Sequence, residues 1–303
     1  MRIGMVGLGR MGANMARRLA RGGTQVAAFD VSASARAALA GTPNVTPVDG
    51  LAALCDALPA PRTIWLMLPA GAVTQETIDA LLPRLAAGDT LVDGANAWYR
   101  DAPGRAKAAG ERGVHFVDAG VSGGIWGLDQ GYALMLGGSD AAVAAVAPFA
   151  RILAPAPDAG WLHCGPVGAG HFVKMVHNGI EYGMMQALAE GFALMEAKTD
   201  LDLDLAGIAQ TWRHGSVVRS WLLDLTADAL QRDAVLDGVK PLVADSGEGR
   251  WTALESVELG VPTPVMTLAL MNRFGTQGRG DYAAKLLATM RNLFGGHPIE
   301  RGS

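Results

Sequence analysis

Cysteine is nearly missing from this chain, with Cys55 and Cys164 the two in 303 residues. Two unpatterned thiols exclude a disulfide scaffold and a structural zinc site, so both read as packing residues of a reducing compartment, expected to be the cytoplasm. Charge is scarce as well, at 18% of residues with a formal net of −4. No Lys or Arg run offsets that balance locally, which argues against nucleic acid and anionic membrane surfaces as partners. Long apolar runs are also lacking. The Ala-rich region around 141–162 is broken by Arg151, Asp158 and several prolines, so no membrane span is expected. Arg10, Arg17 and Arg18 interrupt the start of the chain, which therefore lacks the apolar core of a secretory signal. Lysine is the rarer cation: positions 107, 174, 198, 240 and 285 carry it, against twenty arginines.

Half of the residues are hydrophobic, enough for one large or two moderate domains. From Met1 to about Pro166 short β-like runs alternate with longer helical stretches, the pattern of a parallel α/β sheet. Strands are expected at 3–6, 25–29, 63–68, 90–93, 115–118 and 132–136, and helices at 12–20 and 74–85. Past Gly168 the β signal fades, and residues from about 170 to 290 read as long helices broken near 199–204, 237–238 and 260–264. The expected organisation is a Rossmann-type doubly wound domain over 1–166, then an all-α domain over 167–303.

Gly7-Leu8-Gly9-Arg10-Met11-Gly12 follows the first strand and opens the first helix. Such glycines permit a tight turn, close approach of backbone to a pyrophosphate, and close helix packing, with N–H groups aimed at the anion. Asp30, 18 residues after Gly12, stands where a carboxylate can accept hydrogen bonds from a ribose and repel a 2′-phosphate, which favours NAD over NADP. Its other reading is a helix cap, and Arg36 leaves room for dual cofactor use. Leu68 and Pro69 leave the strand that begins at Thr63, either as a cofactor-contacting turn or as a plain strand-to-helix connection.

Around Lys174 the polar residues stand where a buried helix normally has apolar ones. Lys174, His177, Asn178, Glu181 and Tyr182 follow the i, i+3, i+4, i+7, i+8 spacing of one helical face. Phe172, Val173, Met175, Val176, Ile180 and Met184 occupy the other faces and suit an interior helix, so the stripe is expected to face a cleft. The alternative is a solvated face or an internal salt-bridge ladder. A buried lysine whose pKa falls toward neutrality can take a hydroxyl proton while hydride leaves the same carbon, which arginine cannot do. Glu181 can act as the complementary acid.

Asn96, at the carboxyl end of a strand, could donate to a substrate oxygen and orient a nicotinamide. Ser122, Gly123 and Gly124 offer a hydroxyl and bare N–H groups suited to a carboxylate. Each segment could equally be an ordinary turn. Arg213 and Arg219 could fork onto a phosphate or serve surface pairs, and Arg219 is favoured because it follows an apolar pair and precedes Ser220-Trp221.

These blocks resemble the 6-phosphogluconate dehydrogenase family, in particular its short, NAD-preferring form. The resemblance covers GLGRMGANMARRL at 7–19, DGANAWYRD at 93–101, FVDAGVSGGIWGLDQGYALMLGG at 116–138, GPVGAGHFVKMVHNGIEYGMMQALAEGF at 165–192, WRHGSVVRSWLL at 212–223, DSGEGRWT at 245–252 and RNLFGGH at 291–297. It implies oxidative decarboxylation of 6-phospho-D-gluconate to ribulose 5-phosphate and CO2 with reduction of NAD and no metal. By the same resemblance, Lys174 takes the C3 hydroxyl proton and Glu181 protonates C1 of the enediol. Asn96, Ser122, Gly123, Gly124, His177 and Asn178 match substrate-binding positions, and Tyr182 and Arg219 match phosphate contacts. Arg291 and His297 match tail positions that complete a neighbouring subunit's site, so a homodimer or higher homo-oligomer is implied. Ser246 and Glu248 depart from the Lys and Thr of long-chain members, which leaves the phosphate requirement open. The competing readings are a non-decarboxylating 3-hydroxyacid dehydrogenase or imine reductase on the same scaffold, and a catalytically silent NAD(H)-binding regulator.

Overall fold

The computed structural model describes residues 1–295 and 298–300. The chain divides into two compact units, Met1–Met175 and Val176–Ser303.

The first unit is built on one eight-stranded sheet of order β3-β2-β1-β4-β5-β6-β7-β8. Its strands are β1 (Arg2–Val6), β2 (Gln25–Phe29), β3 (Val45–Pro47), β4 (Thr63–Leu66), β5 (Thr90–Asp93), β6 (His115–Ser122), β7 (Ala133–Gly138) and β8 (Trp161–Gly165). Alternation along the strands feeds two cores. Ile3, Met5 and Trp65 join one cluster with Met15 and Leu19, while Val6, Ile64 and Leu66 join another with Leu54, Ile78 and Leu81. A sheet buried on both faces in this way is doubly wound. The chain winds outward in both directions from β1, which pairs with β2 on one side and β4 on the other. The carboxyl ends of β1 and β4 therefore flank a topological switch point, where such sheets bind ligands.

The structure corrects the expected strands in five places. β7 runs antiparallel to β6, so the sheet is mostly rather than wholly parallel. β4 stops at Leu66, two residues early, and β6 continues to Ser122, so Val121 and Ser122 are strand rather than turn. β3 was not foreseen because it is three residues long, ends in proline and pairs with β2 alone. β8 was missed because it is a half-exposed edge strand with weak patterning.

The second unit is helical. After the helix Ala169–Glu196 come Leu205–Trp212, Trp221–Arg232, Glu248–Leu259, Pro264–Thr276 and Asp281–Gly295. Side-chain caps start two of them: Asp204 accepts from Gly207 N–H, and Ser220 from Leu223 N–H. Gly260, left-handed at φ 65°, ends Glu248–Leu259, and Pro264 opens the next helix. The interior reading of Ala169–Glu196 needs correction as well: Val173, Ile180 and Met184 are 37%, 50% and 43% exposed in the single chain. Helical periodicity separates faces but does not say what covers each one.

Candidate active site

At the switch point the Gly7 N–H donates to Phe29 O and the Met67 N–H to Val6 O, both at 2.8 Å, which folds the glycine turn against its neighbouring strands. The three glycines have different reasons to be there. Gly7 sits at φ 91°, and a Cβ on Gly12 would collide with the Gly7 carbonyl oxygen. A Cβ on Gly9 would meet nothing within 4 Å. Gly9, the N-cap of helix Arg10–Arg21, is thus bare for a reason outside the protein's own packing. A pyrophosphate lying on the helix N-terminus supplies that reason, so these residues fit a dinucleotide. A cavity of about 300 Å³ lined by Leu8, Gly9, Arg10, Ala13, Asn14 and Ala35 opens beside the turn.

Asp30 follows β2 directly. Its Oδ2 accepts the Leu8 N–H at 2.7 Å and its Oδ1 the Ser32 N–H at 2.8 Å. The carboxylate thereby ties the glycine turn to the end of β2, and a second lone pair on each oxygen stays available for hydroxyl donors. Arg36 Nη1 donates to Asp30 O at 2.7 Å, and its Nη2 lies 3.5 Å from Asp49. Leu68 and Pro69 follow β4, where Pro69 O accepts from Thr74 Oγ1 at 2.8 Å.

The start of helix Ala169–Glu196 is held by a buried acid. Asp118, fully buried in β6, accepts the Gly168 N–H on Oδ1 at 2.6 Å and the His171 N–H on Oδ2 at 2.8 Å. Small residues let the helix approach the sheet. A Cβ on Gly170 would strike Asp118 O, and one on Gly120 would strike Lys174 Cβ. Lys174 itself is 5% exposed.

A second buried acid, Asp93, ends β5. Arg105 Nη1 donates to its Oδ2 at 2.6 Å, the Ala95 N–H to its Oδ1 at 3.1 Å, and His171 Nε2 lies 3.4 Å from Oδ2. Burial pushes this carboxyl up, but His171, Arg105 and the Ala95 N–H outweigh burial and hold it at about 2. Asp118 and His171 were not foreseen as site residues. The available signals were acids at or near the ends of buried strands and a histidine three residues before Lys174 on the same face. Asn96, left-handed at φ 48°, exchanges hydrogen bonds with Val121, its Nδ2 donating to Val121 O at 3.2 Å and its Oδ1 accepting the Val121 N–H at 3.0 Å. Ser122 closes β6, and Gly123 and Gly124 follow at φ 131° and 54°.

In the second unit, His177 Nδ1 lies 3.1 Å from Asn178 Oδ1 and 3.9 Å from Glu181 Oε2. Tyr182 is buried, its hydroxyl accepting the Ser246 N–H at 3.3 Å, with the Arg273 guanidinium 3.4 Å from its ring centre. Ser246 Oγ donates to Glu248 Oε2 at 2.5 Å. Arg213 is taken up by Asp224 at 2.9 Å and Asp228 at 3.2 Å. Arg219 is exposed and borders a cavity of about 350 Å³ with Phe192, Trp212 and Val218. Arg291 is exposed on helix Asp281–Gly295, and His297 lies outside the described residues.

The profile of the NAD binding domain of 6-phosphogluconate dehydrogenase matches residues 2–160, and that of the 6-phosphogluconate dehydrogenase C-terminal domain matches residues 170–280. The chain belongs to the 6-phosphogluconate dehydrogenase family. It is an oxidoreductase, and its first 160 residues form an NAD-binding domain. An NAD(+)-dependent, decarboxylating 6-phosphogluconate dehydrogenase of Haloferax volcanii is 41% identical, with 99% of each chain covered. An NADP(+)-dependent family member of Bacillus subtilis is 36% identical over 90% of this chain and 60% of its own. The structure of Plasmodium falciparum 6-phosphogluconate dehydrogenase superposes with a TM-score of 0.83 at 29% identity, covering 100% of this chain and 67% of that one. A 3-hydroxyisobutyrate dehydrogenase of Mycobacterium tuberculosis shares the fold at 22% identity, with a TM-score of 0.71 over 92% of this chain and 94% of that one. The substrate of this family is a sugar acid. Among the described residues no helix is long and apolar enough to cross a membrane, and no cluster of His, Cys, Asp or Glu could hold a metal ion.

Proposed function

We propose that the chain oxidises and decarboxylates 6-phospho-D-gluconate to D-ribulose 5-phosphate and CO2 with NAD as the cofactor. The observation that carries this reading is Lys174, buried on a helix anchored by Asp118, with His177 and Glu181 on its face three and seven residues on. At 1.5 Å per residue, Lys174 and Glu181 stand roughly 10 Å apart along the axis, a span that brackets a small sugar acid.

Lys174, desolvated and neutral at the outset, takes the proton of the C3 hydroxyl. Bound NAD supplies the acceptor for the C3 hydride. The resulting Lys174 ammonium donates to the C3 ketone oxygen and draws the electrons of the breaking C1–C2 bond toward it, so the carboxylate leaves as CO2. Glu181 then delivers a proton to the carbon that lost CO2, the substrate's C2, which is C1 of the enediol. Asn96, Ser122, Gly123, Gly124, His177 and Asn178 hold the carboxylate and hydroxyls, while Tyr182 and Arg219 hold the phosphate. Arg291 and His297 of a second copy complete the site, which makes the working unit a homodimer. Gly7 to Gly12, Asp30, Leu68, Pro69 and Asn96 contact the dinucleotide, with the ribose read by Asp30 in favour of NAD. Residues 1–166 serve the nucleotide, and 167–303 serve the substrate and the dimer.

The test is to incubate purified protein with 6-phosphogluconate or gluconate and either nucleotide, recording reduced nucleotide and CO2 together. Equimolar NADH and CO2 from 6-phosphogluconate is the expected result. Hydride transfer without CO2 release would overturn it.

A further inference from the structure

Helix Arg10–Arg21 opens at the glycine turn and, along one flank, grips the loop that follows β6. Asn14 Nδ2 donates to Ile125 O at 3.2 Å. One turn on, Arg18 Nη1 donates to Leu128 O at 3.2 Å and to Asp129 O at 3.3 Å, and Arg21 pairs with Asp129 at 2.9 Å. Asn14, Arg18 and Arg21 recur at i, i+4 and i+7, so a single face of the nucleotide helix lies along residues 125–129. Those residues continue directly from Ser122, Gly123 and Gly124.

The loop is firmly held at both ends and loosely in between. At its far end a Cβ on Gly127 would run into the fully buried Tyr132 ring, one on Gly131 would strike Pro155, and Arg18 donates also to Ile152 O and Ala154 O. At its near end Asn96 holds both backbone groups of Val121. Between these anchors the backbone passes through Gly123 at φ 131° and Gly124 at φ 54°, and a Cβ on Gly124 would meet nothing within 4 Å. Two successive glycines give this stretch a conformational freedom that its neighbours lack. Asn14 ties it to the helix at the very next residue. Ile125 also lines the cavity beside the glycine turn, together with Leu8, Gly9 and Arg10, and it is 56% exposed. An apolar residue open on the wall of a nucleotide cavity gains by being covered when that cavity fills.

We propose that Asn14 is a positioning residue through which a bound dinucleotide sets the loop that receives the substrate carboxylate. The dinucleotide covers Ile125 and favours the arrangement in which that residue lies against the helix. The Asn14 hydrogen bond passes this order to Gly123 and Gly124, whose N–H groups then stand in one place for the carboxylate. Each ligand therefore tightens the other by the same factor. The proposal rests on the role given to Ser122, Gly123 and Gly124 under the proposed function, but its cofactor half does not depend on which acid is the substrate.

The test uses NADH, which cannot accept a hydride, so no turnover occurs while calorimetry reads the Kd of 6-phosphogluconate without and with saturating NADH. In the wild type NADH is expected to tighten the sugar acid about fivefold or more. Asn14→Leu fills a similar space with no donor, and in this variant the ratio of the two Kd values is expected to fall toward one. Ile125→Ala keeps the carbonyl but removes the side chain from the cavity wall, and it should lower the ratio as well; being at an exposed position, it decides the matter if Asn14→Leu does not fold. A wild-type ratio of one would overturn the proposal. So would weakening of both Kd values by an equal factor in the variants, the mark of a purely structural role. A second arm needs no sugar acid: with 5-fluorotryptophan incorporated and the Trp126 resonance assigned by Trp126→Phe, NADH is expected to shift that resonance in the wild type and to shift it less in Asn14→Leu. If NADH binds and the Trp126 signal stays in place, the proposal fails. This arm stands even if 6-phosphogluconate proves not to bind, a result that would count against the proposed substrate alone.

Discussion

The His171 N–H donates to Asp118 Oδ2 at 2.8 Å, so a side chain from β6 caps the helix that carries Lys174. The same carboxylate takes the Gly168 N–H on its other oxygen. Both oxygens are thus used as acceptors, and the side chain is fully buried. Asp118→Asn turns one acceptor into a donor that faces an N–H and removes the negative charge from the helix N-terminus. The expected loss is about 2 kcal/mol. Thermal unfolding should show it together with a fall in kcat, since Lys174 sits one turn into the helix. An unchanged melting temperature would mean the helix start is held elsewhere.

Asp93 makes part of the stability depend on acid. Its carboxyl is held at about 2 in the folded chain, against about 3.9 when unfolded. A depressed carboxylate contributes stability that is complete above the unfolded value and is lost as pH falls from about 4 through about 2. For a fully buried group the contribution is about 2 to 3 kcal/mol at neutral pH. Asp93→Asn should therefore unfold more readily at pH 7, with the buried Arg105 left to Asp101 at 3.5 Å and Gln75 at 3.1 Å, and should converge on the wild type near pH 2. Denaturant titrations at the two pH values check this, and an equal gap at both would refute it.

What could be read in the sequence was the part that local rules dictate. Gly7 to Gly12, the alternation of strands and helices, and the polar stripe from Lys174 to Tyr182 are all set within a few turns of chain. What could not be read depends on partners far along it. Asp118 meets Gly168 from 50 residues away, and the Asp93 and His171 contact spans β5 and a helix that begins at Ala169. The antiparallel β7 was hidden for a related reason, because strand direction is fixed by the connection and not by the apolar pattern. The exposure of Ile180 and Met184 shows the same limit, since periodicity marks a face without naming its cover.

Gly9 and Gly12 should separate binding from folding. A methyl at Gly9 meets open space, whereas one at Gly12 meets the Gly7 carbonyl. Gly9→Ala is expected to keep the melting temperature while weakening NAD roughly tenfold or more, because the methyl stands where backbone approaches pyrophosphate. Gly12→Ala is expected to lower the melting temperature outright. Calorimetric titration with NAD and thermal unfolding of each variant test the pair, and undiminished NAD affinity in Gly9→Ala would remove the pyrophosphate from that spot.

Asp30 has two jobs in the structure, holding the Leu8 N–H and presenting negative charge beyond β2. Asp30→Ala should relax selection between NAD and NADP and also weaken both, because the glycine turn loses its tie. Asp30→Asn keeps an acceptor for Leu8 and loses the charge, so it should relax selection with the smaller loss of NAD affinity. If selection stays the same in both variants, the ribose is read by other residues.

Under the proposed function, Glu248 bears on the phosphate end of the substrate. It accepts a hydrogen bond from the Ser246 hydroxyl at 2.5 Å, which leaves that hydroxyl unable to donate to a phosphate while it is so bonded. A carboxylate there also disfavours a dianion by Coulomb repulsion, worth about 1 kcal/mol or more at short range. Glu248→Gln removes the charge and keeps the shape. The ratio of kcat/KM for 6-phosphogluconate over gluconate is expected to rise several-fold in this variant, by way of a lower KM for the phosphorylated acid. If the ratio stays at the wild-type value, the phosphate lies away from Ser246 and Glu248, and its grip belongs to the other residues proposed for it, Tyr182 and Arg219.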